Sequence, residues 1–479
     1  MVSYKILGNI RIVIVKISLA CICITSTLQL LSLSPQLEYN FGQDFSDNVE
    51  KATGDLSTRG IKKDWTFIAY VAADNDLRGF AARNIKQMAQ IGSNNYLNIA
   101  VQLDIRITGN KKITRRYFIE KNKIWHVNAE DPFSQQMDSG DPQTLISCCR
   151  WAIENYPAKN YALIFWNHGT GIIDPSNGRI INSSELFTFN PTINKFELDR
   201  SIGFLDFINQ VNREERGICW DDSSGNYLTN QKLDFALHEI CTSLLGGNKF
   251  SIIGFDACLM SMLEVANILK KYASIMTGSQ EVELGTGWDY SKVLSPFVDK
   301  TLSPTAFAEH IVSSYASSYE KITNDYTQSA LNLEHIDSLE SNVNTVANLL
   351  LYCLKNQNNN SVKNAIRASR NKLLCTHFDE PSYIDLHHFY ENLLANVKHF
   401  SFTNKNEEGA ALSALQETLE KGRSLITEFV VANSTGKNLS RAKGISIYFP
   451  ERRIHTSYRK TTFASTNEWI TFLTSYLLL

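Results

Sequence analysis

Five short apolar runs, each closing on glycine or polar residues, set the rhythm of the chain. They are WTFIAYVAA (65–73), LNIAVQLD (97–104), YALIFWNHG (161–169), FSIIGFDAC (250–258) and ASIMTGS (273–279). Runs that are apolar at successive positions have no solvated face, which suits interior strands of a parallel sheet covered on both sides. Helix-length segments at 75–91, 142–156, 229–245 and 258–272 separate them. That alternation predicts a layered α/β fold around a largely parallel central sheet. TRRYFIEKNKIWHV (114–127) reads as a hairpin at the periphery.

Outside these runs the pattern changes. Residues 1–34 hold only Lys5, Arg11 and Lys16 as charges, followed by the uncharged ISLACICITSTLQLLSL. A basic start before an apolar stretch reads as an export signal or a membrane anchor, so the expected location is secreted or cell envelope. SLAC, ending at Cys21, is a poor match to a lipidation signal because Leu and Ser stand in the wrong order. Residues 35–63 are polar and aperiodic, a linker or propeptide-like segment. Residues 174–216 interrupt the core at 64–300 with a long stretch rich in Asn, Pro and Ser, and loops of that length tend to carry function. From 301 to 479 the spacing turns mainly helical, a second subdomain with one late strand at 444–450. There are no internal repeats.

Composition narrows the class without naming a chemistry. Apolar residues make up 43% and charged residues 20% of 479, suiting a globular protein with a sizeable core. A net charge of −2 offers nothing for nucleic acid, and membrane contact is expected only through the N-terminal segment. Beyond the leader, seven cysteines are scattered singly or as the adjacent pair Cys148–Cys149, which is neither a dense disulfide framework nor zinc spacing. Most read as small buried hydrophobes.

Chemistry gathers at two strand ends. Ligands of open α/β sheets bind beyond the carboxyl ends of the strands, where FWNHGTG presents His168 and GFDAC presents Cys258. A thiolate can attack a carbonyl while a nearby imidazole removes the thiol proton and later protonates the leaving amine. The helical spacing of LMSMLEVANILKK puts Cys258 near a helix N-terminus, which would lower its pKa. Gly169 permits close approach of main chain, so the N–H groups of Gly169 and Cys258 are candidate oxyanion donors. Taken alone, Asp256 could equally cap the following helix and Cys258 could be an inert buried thiol.

The chain resembles the clostripain-like cysteine peptidases, which share the caspase/gingipain/legumain-type fold. DWTFIAYVAADNDL (64–77), VQLD (101–104), FWNHGTGI (165–172) and DDSSGNYLTNQKLDFAL (221–237) carry the likeness. So do FDACLMSMLEVA (255–266), GSQEVELGTGWDY (278–290), YIDLHHFY (383–390) and GISIYFP (444–450). The resemblance implies a caspase-like αβα sandwich and a Cys258/His168 dyad. It also implies cleavage after Arg or Lys in peptide or protein substrates, with Asp256 at the base of the P1 pocket. Residues two apart on a strand share a face at about 6.5–7 Å, so Asp256 would lie on the side of Cys258. Thr286 and Asp289 are the implied pocket walls; Glu281 and Glu283 are expected to be solvated loop acids.

Similar enzymes are made as inactive precursors. That implies self-cleavage within 174–216, after Arg179, Lys195, Arg200, Arg213 or Arg216. Calcium is implied for some members; DDSSGN (221–226) reads as a turn rather than a metal loop, and no cofactor is needed for the chemistry. RNIKQMAQIG (83–92) is more basic, and 174–216 longer and richer in Asn, than the family pattern. A non-catalytic binding protein on the same fold, or a transpeptidase, are the competing expectations.

Overall fold

The computed structural model describes residues 49–51, 60–108, 111–127, 136–173, 186–201 and 217–479. The leader at 1–34 and most of 35–63 lie outside the described residues. All five apolar runs form strands: β2 (Lys63–Ala73), β3 (Leu97–Thr108), β6 (Ala158–Trp166), β11 (Phe250–Asp256) and β12 (Ala273–Gly278). They pair in parallel in the order β3-β2-β6-β11-β12 and make the centre of a ten-stranded sheet.

Helices cover both faces. Alternate residues of β2 divide between two cores: Trp65, Phe67, Ala69 and Val71 pack with α1 (Arg78–Ile91) on one side. Ile68, Tyr70 and Ala72 pack with α2 (Pro142–Asn155) and α3 (Asn230–Ser243) on the other. The starts of these helices follow from local chemistry. Asp141 accepts from Gln143 N–H with Pro142 in the first turn, and Thr229 accepts from Lys232 N–H. Burial of each large side chain on these doubly covered strands contributes about 1.5–3 kcal/mol.

The edges of the sheet depart from the predicted pattern. The expected peripheral hairpin, β4 (Lys111–Glu120) and β5 (Lys123–His126), continues the sheet antiparallel beyond β3, and β1 (Val49–Lys51) adds to β5. On the other side β13 (Thr327–Asn332) and β15 (Val430–Thr435) extend it antiparallel from β12. The region after residue 300 is thus mainly helical yet shares the central sheet. It contains α6 (Pro304–Tyr319), α7 (Ile336–Asn356) and α10 (Lys405–Phe429). The late strand β16 (Ser446–Tyr448) does not join that sheet; it pairs with β14 (Tyr383–Asp385).

Within 174–216 the described residues form a small hairpin, β7 (Phe187–Asn190) and β8 (Lys195–Leu198), rather than an irregular loop. A second hairpin follows, β9 (Ile218–Asp221) and β10 (Asn226–Leu228), with Asp222–Gly225 as its turn. All seven cysteines among the described residues are buried and free.

Candidate active site

Parallel register brings the two reactive strand ends together. Trp166, the last residue of β6, pairs with Asp256, the last of β11, and Asn167 N–H donates to the Asp256 carbonyl at 3.3 Å. His168 and Cys258 therefore follow equivalent positions on neighbouring strands, and both line one cavity. Gly169 is required by this closeness: a Cβ there would stand 2.4 Å from the Cys258 carbonyl oxygen.

His168 has a partner that the sequence reading missed. Its Nε2 lies 2.5 Å from Asp76 Oδ1, at the start of α1 just past the end of β2. Burial acts to lower the imidazole pKa, but the charge and hydrogen bond of Asp76, with a smaller contribution from Asp222, outweigh it and raise the value. Asp76 lies within the ADND cluster of a segment already noted for its family likeness. Two aspartates at a strand end look alike in sequence, and only packing separates them.

Cys258 departs from expectation in its electrostatics. The following helix, α4 (Leu263–Leu269), starts five residues later, so no helix N-terminus reaches the sulfur. The thiol is 6% exposed and accepts from Glu283 N–H at 3.3 Å. Burial pushes its pKa well up; that hydrogen bond opposes the shift, and the charges of Glu283, Asp379 and Glu281 add to it. Leu259, next in the chain, has φ of +61°, and its N–H donates to the Glu281 carbonyl at 3.2 Å. A non-glycine residue in the left-handed region stores about 1–3 kcal/mol of strain, held here directly beside the thiol.

Asp256 lines the same cavity and is not a helix cap. Its carboxylate accepts from Trp288 N–H at 3.1 Å on each oxygen and from Tyr290 O–H at 2.7 Å. Burial raises its pKa to about 6 despite those donors. Gly287 makes the arrangement possible: its φ is +61°, and a Cβ would come within 2.7 Å of the carboxylate. The two proposed pocket walls do other work. The Thr286 hydroxyl pairs with Tyr319 O–H at 2.8 Å, and Asp289 caps α5 (Tyr290–Leu294) by accepting from Ser291 N–H and Lys292 N–H. Neither lines the cavity.

Glu281 and Glu283 are not solvated. Glu281 is fully buried, accepting from Val282 N–H, Asp379 N–H and the Arg200 guanidinium, while Glu283 is 6% exposed and lines the cavity. Their burial was hidden because the loop 279–289 carries no periodic apolar pattern.

A profile of the clostripain family matches residues 69–197 and 206–475, most of the chain. The chain belongs to the clostripain family. Clostripain of Hathewaya histolytica is 27% identical over 251 residues, which is 48% of this chain and 41% of that protein. The match thus spans less than half the length of that relative. Two solved structures share the fold. One is a secreted C11 cysteine protease from Bacteroides thetaiotaomicron in complex with an irreversible peptide inhibitor (18% identity, TM-score 0.54). The other is an inactive zymogen C11 protease from Parabacteroides distasonis (17% identity, TM-score 0.50). Each comparison covers 86% of this chain and 99% of the other.

In this clostripain-family chain the insertion at 174–216 reaches the site. Leu186 is fully buried and lines the cavity with His168 and Cys258, leaving about 20 Å³, room for roughly one water. Arg200 ion-pairs with Glu281 at 2.8 Å, and Lys195 Nζ donates to the Glu320 carbonyl and Asn324 Oδ1, both at 2.7 Å. Arg179, Arg213 and Arg216 lie outside the described residues.

For calcium, the described acids around DDSSGN do not fit. The buried aspartates Asp74, Asp104 and Asp221, the last from DDSSGN, surround the ammonium of Lys112 instead of offering open oxygens. Among the described residues no group of three or more His, Cys, Asp or Glu is arranged to hold a metal ion.

Proposed function

We propose that this chain is an exported cysteine endopeptidase that cleaves after Arg or Lys and is stored with its 174–216 segment uncut. The observation that carries the reading is the single cavity lined at once by a thiol, an imidazole and a buried carboxylate: Cys258, His168 and Asp256. His168 takes the thiol proton, and Cys258 Sγ attacks the scissile carbonyl. The backbone N–H groups of Gly169 and Cys258 are the donors assigned to the oxyanion. His168 then protonates the leaving amine and draws a proton from the water that hydrolyses the thioester. Asp76 favours the imidazolium form through both halves of the cycle.

Storage in an inactive form accords with two features. The thiol is held protonated by burial, and with Leu186 in its wall the cavity has room for only about one water. Among the five candidate bonds, Lys195 pairs with Asn190 in the β7–β8 hairpin and Arg200 is tied to Glu281. Cleavage after Lys195 or Arg200 would therefore break into the hairpin or the ion pair with Glu281.

Fluorogenic peptides bearing Arg, Lys, Asp or Asn at P1 test the reading. Folded, loop-cleaved protein should turn over the Arg and Lys peptides, and silence on both would refute it. Cys258→Ala should abolish peptide turnover and self-cleavage together; self-cleavage that survived would point to another nucleophile.

A further inference from the structure

Two buried amide side chains stand directly beside the residues that make the His168–Asp76 contact. Asn75 precedes Asp76, Asn167 precedes His168, and the two are 2% and 3% exposed. Both aim at the same pair of backbone carbonyls. Asn75 Nδ2 donates to the carbonyls of Ala72 and Trp220, each at 3.0 Å. Asn167 Nδ2 donates to the Ala72 carbonyl and, at 3.3 Å, to that of Trp220. The amide oxygens are used as well: Asn75 Oδ1 accepts from Leu77 N–H at 3.0 Å, and Asn167 Oδ1 from Trp220 N–H at 2.9 Å. A backbone carbonyl can pair only with the nitrogen of a carboxamide and a backbone N–H only with its oxygen, so these surroundings specify asparagine. An aspartate of the same shape would set an oxygen against two carbonyls. Ala72 is the next-to-last residue of β2, and Trp220 lies in β9, the strand that follows the 174–216 segment.

We infer that Asn75 and Asn167 are positioning residues for the dyad: they tie the ends of β2 and β6 to Trp220 and so hold Asp76 against His168. The inference rests on the dyad reading above and adds the groups that fix its geometry. Neither amide carries a proton in the reaction; each acts through its neighbour in the chain. Because the two share both acceptors, a shift of any one of the three segments breaks bonds to the other two. Burial pulls the His168 pKa down, while the charge and hydrogen bond of Asp76 push it up. Loosening the tie therefore leaves burial less opposed, and the imidazole holds its proton more weakly. The other titratable groups facing His168 are Asp222, itself paired with Arg106, and Cys258, Asp256 and Glu283 in the cavity. Replacing the amides by neutral side chains leaves all of these in place.

Two variants test it. Asn167→Ala removes all three bonds of that amide. Asn75→Ser is gentler, since a serine hydroxyl can still accept from Leu77 N–H while both donations are lost. In the uncut full chain carrying Cys258→Ala, NMR titration of labelled histidine should show His168 binding its proton at least about threefold more weakly in either variant. A merely structural role would lower stability and leave that titration unmoved, so a smaller change in folded Asn75→Ser overturns the inference. Loop-cleaved chain supplies the kinetic arm, with rates referred to titrated active sites. Asn75→Ser should lower kcat about tenfold and leave KM within about twofold. Added to Asp76→Asn it should cost nothing further, because it acts through that contact; losses that multiply overturn the inference. If wild type turns over no peptide, the endopeptidase reading fails, and the NMR titration still decides this inference by itself.

Discussion

His168 Nε2 and Asp76 Oδ1 stand 2.5 Å apart although 92 residues separate them in the chain. The contact exists because β2 and β6 are parallel neighbours, so the residues just past each strand meet at one edge of the sheet. It gives the imidazole a fixed orientation and a negative partner. Asp76→Asn removes the charge and keeps the shape. It should move the His168 pKa down and lower kcat about 10- to 100-fold with little change in KM. Profiles of kcat and kcat/KM against pH would reveal both effects, and an unchanged pH profile would argue that Asp76 has no part in catalysis.

Cys258 should be chemically quiet in the uncut chain. Its thiol is buried and pushed well above the ordinary value, and alkylation proceeds through the thiolate. Iodoacetamide labelling at neutral pH, read by mass spectrometry, should be slow before cleavage in 174–216. After it, labelling should be at least about tenfold faster. Equal rates in the two forms would mean that cleavage does not open the site.

Lys112 is the counter-ion of a buried acidic cluster. Its ammonium lies 2.9 Å from Asp104 and 3.8 Å from Asp74, and closest to Asp221. The cluster links the end of β2 with β3, β4 and the hairpin that follows the 174–216 segment. Lys112→Met leaves buried carboxylates without this partner and should destabilise the fold by about 3–5 kcal/mol. The Asp104 carboxyl, which burial already pushes up to about 8, is protonated toward low pH. The loss should therefore be larger at pH 8 than at pH 5, as thermal denaturation at the two values would show.

Glu264 introduces a pH dependence remote from the cavity. Buried at the start of α4, it accepts from Tyr448 N–H at 2.9 Å and Tyr458 O–H at 3.2 Å. Burial raises its pKa to about 7 from an ordinary value near 4.5. The folded state favours the protonated acid, so its contribution is full below about pH 4.5 and is lost as pH rises toward 7. The change is on the order of 3 kcal/mol. Glu264→Gln should flatten the stability curve over that window, and denaturant titrations of both proteins from pH 4 to 8 would detect an unaltered slope.

Much of the fold was legible because the five central strands are buried on both faces, a condition that writes itself as uninterrupted apolar runs. WTFIAYVAA and FSIIGFDAC could be read as strands without knowing their neighbours. The added edge strands could not. In β13 the buried residues include Thr327, Gln328 and Ser329. Ser329 is satisfied by the Gly444 carbonyl and Thr327 by Ser279 Oγ, contacts that no periodicity predicts.

By itself the sequence determined the layered α/β core, the two strand ends that carry His168 and Cys258, and the family to which the chain belongs. Tertiary structure alone decided the state of the site. A loop acid is solvated or buried according to what folds over it, and a thiol is activated or silenced by the charges and helix ends around it. Glu283 and Asp76 were acids among forty-nine until packing placed one against Asp256 and the other against His168. Those placements follow from contacts between segments far apart in the chain, and local pattern carries no record of them.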